Sequence, residues 1–308
     1  MNRLISVVIP VYNNEESLPL LFEELQGLEK KLESKKYDLE LVFVDDGSKD
    51  GSLQSLIALK SRLRNTKIIK LTRNFGAKNA SRAGLENISG EFFSILAADL
   101  QDPPKLILTM LNEISNDCKL VICERESRED PILKKILASI YYKIFRFLVD
   151  GNYPKRGFDV FLADKVLLEH HLKCSNFYTT TNFLFFLGFS YKSIKVHRPK
   201  RHHGKSSYTL SKSFDQATDN IFSSSVMPLR IVSLVGFIAA IGSIIYGTVI
   251  FINALIYNLS IPGYASLFVM ISFLSGIIII MLGIIGEYIW RIYDEVTRKP
   301  KSIIEKIY

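Results

Sequence analysis

Two rhythms of apolar residues run along this chain, one before Arg230 and another after it. In the first part, short runs rich in Val, Ile, Leu and Phe occupy residues 4–9, 39–44, 67–71, 92–97 and 119–123. They have the length and composition of buried strands. Between them, residues 15–32, 51–63, 77–88 and 104–114 carry apolar residues at helical spacing. The alternation predicts an α/β fold with a mostly parallel sheet. Such sheets bind ligands in the crevice beyond the carboxyl ends of their strands, which makes the segment after each strand a site candidate.

From Ile231 to Gly286 the rhythm changes, and 56 consecutive residues carry no charged side chain. Asn258, Pro262 and Gly263 interrupt this stretch and mark a turn. Two membrane spans are expected, at about 231–256 and 264–286. As a helix the first would be roughly 39 Å long, against a hydrocarbon core of roughly 30 Å. Tyr288, Trp290, Arg291 and Tyr293 follow the second span, an interfacial combination. Residues 1–210 then form one large domain, 211–229 a juxtamembrane interfacial helix, 230–287 the two spans and 288–308 a basic tail. The loop between the spans has no charge, whereas the tail and the N-terminal region are basic. Positive charge stays inside, so the expectation is a multi-pass protein of the inner membrane with the large domain and both termini in the cytoplasm. The apolar run after Met1-Asn2-Arg3 is too short for a signal-peptide core and reads as a first strand.

Residues 131–150 show a third pattern. Ile132, Ile136, Ile140 and Ile144 run beside Leu133, Leu137, Tyr141, Phe145 and Leu148, with Lys134, Lys135, Lys143 and Arg146 elsewhere. This basic amphipathic helix fits packing on the sheet and fits equally a position on a membrane surface.

Composition narrows the partners. The 308 residues are 48% hydrophobic, and the net charge of +8 is spread over small clusters such as Lys30/Lys31 and Arg298/Lys299. That distribution favours anionic lipid or phosphate and no nucleic acid. Cys118, Cys123 and Cys174 form no CxxC pair, which argues against a disulfide framework and a zinc site.

The strand-end segments carry the chemistry. Pro10-Val11-Tyr12-Asn13-Asn14-Glu15-Glu16 follows the first strand, and Asp45-Asp46-Gly47-Ser48 ends the second. Adjacent carboxylates there can accept hydrogen bonds from a nucleobase or ribose, or can cap the next helix. Arg73-Asn74-Phe75-Gly76 follows the third strand and Asp99-Leu100-Gln101-Asp102-Pro103-Pro104 the fourth. An acid with a second oxygen ligand two positions on suits Mg²⁺ or Mn²⁺ bridging a diphosphate.

Taken together these four segments resemble glycosyltransferase family 2, and more closely its polyprenol-phosphate branch, the bactoprenol glucosyltransferase and dolichol-phosphate mannose synthase type. The exit Gly283-Ile284-Ile285-Gly286-Glu287-Tyr288-Ile289, leading to Arg298-Lys299-Pro300, extends the resemblance to the anchor. The resemblance implies a GT-A type, Rossmann-like nucleotide-sugar domain and transfer of a sugar to a polyprenyl (undecaprenyl) phosphate. It implies nucleotide-sugar contacts from Pro10, Tyr12, Asn13, Glu15, Asp45, Asp46, Gly47, Ser48, Arg73, Asn74, Gly76 and Asp99, and a metal held by Asp99 and Gln101. The family's usual first acid falls at Ala97, so Mg²⁺ or Mn²⁺ should bind more weakly unless the diphosphate or Asp102 supplies the missing oxygen.

Gly157-Phe158-Asp159 resembles the family segment with an acid near the acceptor, which makes Asp159 the candidate base or sugar-orienting carboxylate. Its plain alternative is a surface acid between strands. Arg125 and Arg128, together with Arg201, Lys205 and Ser206 in a loop like the family's Arg-x-x-Gly-x-Ser element, are the candidates for the lipid phosphate. A basic juxtamembrane patch drawn to anionic lipid is the other reading of that loop. Two further functions remain open: extension of a lipid-linked glycan, and a non-catalytic nucleotide-binding membrane scaffold. Gly236, Gly242 and Gly247 suit close helix association, so a homo-oligomer is among the expected partners.

Overall fold

The computed structural model describes residues 2–125, 132–173, 179–196, 210–257, 263–297 and 299–308. They divide into two units, Met1–Asn220 with Pro300–Tyr308, and Ile221–Lys299.

Among the described residues of the first unit, eight strands form one sheet. They are β1 (Arg3–Val11), β2 (Tyr37–Asp45), β3 (Thr66–Leu71), β4 (Phe92–Ile95), β5 (Leu120–Arg125), β6 (Phe158–Asp164), β7 (Tyr191–Val196) and β8 (Ile304–Ile307). Their order is β7-β5-β6-β4-β1-β2-β3-β8. Strand β1 runs parallel to β2 and β4, and β2 parallel to β3. The exceptions are β6, antiparallel to both β4 and β5, and β8, antiparallel to β3. The expectation of a mostly parallel sheet holds.

Alternation along β1 sorts its side chains between two layers. Ile5, Val7, Ile9 and Val11 enter one core with residues of α1 (Leu18–Glu33) and α2 (Ser52–Leu59). Phe22 of α1 stacks on Phe43 of β2 with ring centroids 5.0 Å apart. The opposite face carries α3 (Ala77–Leu85), and a Cβ placed on Gly84 would lie 2.3 Å from Val8 Cγ1. Only glycine lets that helix approach so closely. Next come α4 (Leu106–Leu111), α5 (Ile132–Leu148), α6 (Lys165–Lys173) and α7 (Thr180–Phe186).

One carboxylate is buried in the sheet. Glu40 of β2, 1% exposed, accepts the Ser89 N–H at 2.7 Å, Lys67 Nζ at 2.8 Å and the Ser6 hydroxyl. The Gly90 N–H in turn donates to Ser6 Oγ at 2.8 Å. Burial pushes the Glu40 carboxyl up, but the hydrogen bonds from Lys67, Ser6 and Ser89 outweigh it and hold it below its ordinary value. The network fixes the turn ahead of β4 onto β1 and β2.

The juxtamembrane segment contains α8 (Leu210–Ser224), and the second unit is built on α9 (Met227–Tyr257) and α10 (Tyr264–Val296). Among the described residues, α9 and α10 are the two helices long and apolar enough to cross a membrane. A Cβ on Gly236 would meet Met281 Sδ at 3.2 Å, so this glycine serves contact within the hairpin, whereas the Gly242 and Gly247 positions face open space. Helix α10 runs ten residues past Gly286, because Glu287 and Arg291 form an i,i+4 pair at 2.7 Å and nothing there breaks a helix. The basic tail expected over 288–308 is therefore helical at first. Its later residues then pair with β3 as β8: Tyr308 N–H donates to the Ile68 carbonyl at 2.8 Å and Thr72 N–H to that of Ile303 at 3.0 Å.

Candidate active site

The chain lays β2 and β3 on one side of β1, then returns to place β4 on the other. This reversal opens a crevice between the carboxyl ends of β1 and β4. Antiparallel β6 begins at that same edge, so Asp159 joins the segments after β1, β2, β3 and β4 there. Pro10 fits because β4 pairs β1 only as far as Val8, beyond which a missing N–H costs no ladder bond to β4.

The segments after β1 and β2 interlock. Asn13 has φ 52°, and its N–H donates to Ser48 Oγ at 3.1 Å while its side-chain oxygen accepts the Lys49 N–H at 2.9 Å. The Asn14 N–H reaches Ser52 Oγ at 2.8 Å, and the Glu15 N–H reaches Asp50 Oδ2 at 3.2 Å. Glu15 Oε2 accepts the Gly51 N–H at 2.8 Å. Burial pushes Asp50 up, but the Ser52 hydroxyl and the Ser52 and Glu15 amides outweigh it, leaving the carboxyl below its usual range. Tyr12 stays 40% exposed beside this lattice.

Asp45 and Asp46 are 1% and 2% exposed. Asp45 Oδ1 accepts the Ser48 N–H at 3.3 Å. Asp46 binds the segment after β3 with both oxygens, accepting the Phe75 N–H at 2.7 Å and the Gly76 N–H at 2.9 Å. Burial raises both carboxyls above the ordinary aspartate value in spite of these bonds. Gly47, at φ 68°, lies against that same segment, and a Cβ there would fall 2.7 Å from the Arg73 carbonyl carbon. Arg73 is exposed, with its guanidinium carbon 4.2 Å from the centre of the Phe75 ring. The Asn74 side chain accepts the Gly76 N–H at 3.0 Å. Asp46 and Glu15, expected from the resemblance as nucleotide contacts, thus also hold loop backbone.

The segment after β4 is tied across the crevice. Ser17 Oγ donates to the Ala98 carbonyl at 2.9 Å, joining the start of α1 to the residue before Asp99. Sequence reading passed over Ser17, whose only signal is its place just ahead of a helix. Asp99 Oδ1 accepts the Gln101 N–H at 3.1 Å across Leu100, which has φ 58°. Asp99 and Gln101 are half-buried, as is Ala97. No group of three His, Cys, Asp or Glu side chains that could hold a metal exists among the described residues. One carboxylate and one amide oxygen fit a hard cation whose other ligands come from phosphate and water, not a cage made by protein alone.

Asp159 occupies a break in the β5–β6 ladder. Cys123 pairs with Val160 and Glu124 with Phe158, which leaves Asp159 as the extra, exposed residue of a bulge. Bulges of this kind re-aim side chains beside sites. Gly157, two residues earlier, has φ 65°, and a Cβ there would come 2.2 Å from the Tyr142 hydroxyl. Cys123 is buried; burial first, and the nearby Asp102 charge second, push its thiol up to about 12 and leave it inert. Arg125 is the last residue of β5. Arg128, Arg201, Lys205 and Ser206 lie outside the described residues.

The glycosyl transferase family 2 model matches residues 6–171. An uncharacterized glycosyltransferase of Synechocystis sp. is 32% identical over 306 residues, covering 99% of this chain and 95% of its own. A prophage bactoprenol glucosyl transferase homolog of Escherichia coli is 31% identical over 305 residues, with 98% and 99% covered. Among solved structures, glucosyl-3-phosphoglycerate synthase from Mycobacterium tuberculosis, in complex with Mn²⁺ and UDP-glucose, superposes with TM-score 0.53 at 16% identity, over 73% of this chain and 80% of its own. That likeness extends to the fold, which is of the GT-A type.

Proposed function

Since the chain belongs to glycosyltransferase family 2, we propose that it moves a hexosyl group from a nucleotide sugar to a polyprenyl phosphate at the cytoplasmic leaflet. The observation that carries this reading is similarity to a bactoprenol glucosyl transferase homolog over 98% of the chain, sheet and membrane-length helices alike. In this reading the nucleotide lies across the ends of β1 and β2, with Tyr12 beside the base. Asp45, Asp46 and Glu15 keep the loops closed around it through their backbone hydrogen bonds. Arg73, exposed on the segment that Asp46 holds, is available to the donor's phosphates.

A lipid monophosphate has its second pKa near about 6 and is largely dianionic at neutral pH. Its oxygen attacks the anomeric carbon as the bond to the nucleoside diphosphate breaks on the opposite side, which inverts the configuration. No proton has to leave the nucleophile. The task of Asp159 is accordingly to orient the sugar, and that of the cations to bring two anions together. Asp99 and Gln101 are the oxygen ligands available to Mg²⁺ or Mn²⁺, which when bound neutralises charge on the diphosphate leaving group.

The test is to incubate the purified protein with polyprenyl phosphate, labelled nucleotide sugars and either ion, and to extract the lipid. Label in the organic phase is expected with one donor, and its absence with every donor overturns the proposal.

A further inference from the structure

Asp159 is the extra residue of its bulge, so ladder register does not aim its side chain. What packs behind it has to. Phe158, the residue before it, is buried, and its ring centroid lies 6.0 Å from that of Tyr153. The Tyr153 ring is itself packed between α5 and α7, with centroids 4.8 Å from Phe145 and 5.0 Å from Phe185. It backs the residue that leads into Asp159.

Tyr153 also organises the loop between α5 and β6. Its N–H donates to the Asp150 carbonyl at 3.1 Å and the Gly157 N–H to that of Pro154 at 3.1 Å, two turns end to end that lead into Phe158. Arg146 holds the first of them, donating to the Gly151 carbonyl at 2.9 Å. A polar tie joins the loop to α7: the Tyr153 hydroxyl donates to Asn182 Oδ1 at 3.0 Å, and both residues are buried. Burial raises the phenol well above its ordinary value, so it keeps its proton and remains a donor. Asn182 Nδ2 is buried with no hydrogen-bond partner among the described residues. A leucine would fill that space without an orphaned donor, so packing does not account for an amide there. The bond to Tyr153 does. Ring packing sets depth, whereas a hydrogen bond sets direction.

We propose that Tyr153, anchored by Asn182, is a positioning residue for the transfer: the hydrogen bond fixes the ring against Phe158 and thereby aims Asp159 at the sugar. The inference rests on the reading of Asp159 as the sugar-orienting carboxylate. Tyr153 and Asn182 act through Asp159, so their loss changes the reacting geometry. Nucleotide affinity, which the same reading gives to the loops after β1, β2 and β3, stays as it was.

The test compares the full-length chain, in detergent with polyprenyl phosphate and labelled nucleotide sugar, with Tyr153→Phe, Asn182→Leu and the double variant. Each single variant strands a buried polar group and should lower the melting temperature, while the double variant removes both partners and should recover most of it. Transfer kcat should stay about ten- to a hundredfold down in all three, with KM for the nucleotide sugar unchanged. Recovery of kcat along with the melting temperature in the double variant makes the pair merely structural and overturns the proposal. With Asp159→Asn in place, Tyr153→Phe should cost no further activity, and independent, multiplicative losses overturn it as well. Hydrogen exchange supplies a readout apart from transfer. Amides of residues 157–160 should exchange faster in the double variant than in the wild type, whereas those of 73–76 should not. Equal exchange at 157–160 overturns the proposal. A wild type that labels no lipid with any donor overturns the transferase reading instead, and the exchange comparison then still decides whether Asn182 and Tyr153 hold the bulge.

Discussion

Asp46 holds Gly76: its carboxylate accepts the Gly76 amide at 2.9 Å and, through the other oxygen, the Phe75 amide at 2.7 Å. On the proposed function, this loop is ordered before any nucleotide binds. Asp46→Ala leaves the half-buried Phe75 N–H without its acceptor and the Gly76 N–H with the Asn74 side chain alone, at a cost of about 1–3 kcal/mol. We expect a lower melting temperature and weaker nucleotide-sugar binding, measured by thermal unfolding and equilibrium binding in detergent. Wild-type values for both would show that the loop is held by something else.

Gly47→Ala acts on the same joint from the other side. Its left-handed φ costs a residue with a side chain about 1–3 kcal/mol, and the added carbon would meet backbone, which cannot swing away. Transfer should fall much further than stability, because the 73–76 segment must shift. Activity near wild type with a full melting transition would refute this.

Glu40 offers a pH-dependent test away from the site. Its folded pKa is depressed, so its contribution is complete above the ordinary glutamate value of about 4.3 and fades as pH falls through the folded value. Glu40→Gln turns an amide donor toward Lys67 or Ser89 and should cost about 1–3 kcal/mol at neutral pH. Urea unfolding at neutral and acid pH should find the wild type losing more stability than the variant. Equal losses would remove Glu40 from the account.

At the proposed metal position, Ala97→Asp adds a second carboxylate to that of Asp99. The Mn²⁺ concentration giving half-maximal transfer should drop, since affinity for a hard cation rises with the charge of its ligands. Asp99→Ala should abolish transfer in both backgrounds. An unchanged Mn²⁺ requirement would mean that position 97 does not face the ion.

The β3–β8 join separates a weak interaction from a strong one. The Lys70–Glu305 pair, 2.7 Å long, is solvated and screened and contributes little, so Glu305→Ala should barely move the melting temperature. Removing residues 302–308 strips the ladder from β3 and uncovers its edge, which should lower stability and promote aggregation. A truncated chain as soluble as wild type in detergent would argue that β8 is dispensable.

Much of this was legible in the sequence because it depends on local composition. Strand ends were readable as site candidates, since apolar runs stop where loops must begin, and the uncharged stretch located both membrane-length helices. Other features depend on partners distant in sequence. Nothing local to Asp46 reveals that its oxygens face the amides of residues 75 and 76 instead of a ligand. The reversed direction of β6 and the bulge at Asp159 come from pairing with β4 and β5. Strand β8 is four residues long with two charges, too brief and too polar to stand out from a basic tail. Of the two readings of residues 131–150, the structure gives an inward side, where Phe145 is buried, and an outward side, where Ile136, Ile140, Ile144 and Phe147 are exposed.

The position of β8 in the chain sets a schedule. A ribosome makes residues 304–307 only after both long apolar helices have been synthesised, whereas β3, which they must join, is made more than two hundred residues earlier. The outer edge of β3 therefore stays bare until both long helices have been made. A chain stopped before that point lacks the segment whose Ile303 carbonyl accepts the Thr72 N–H, immediately ahead of Arg73.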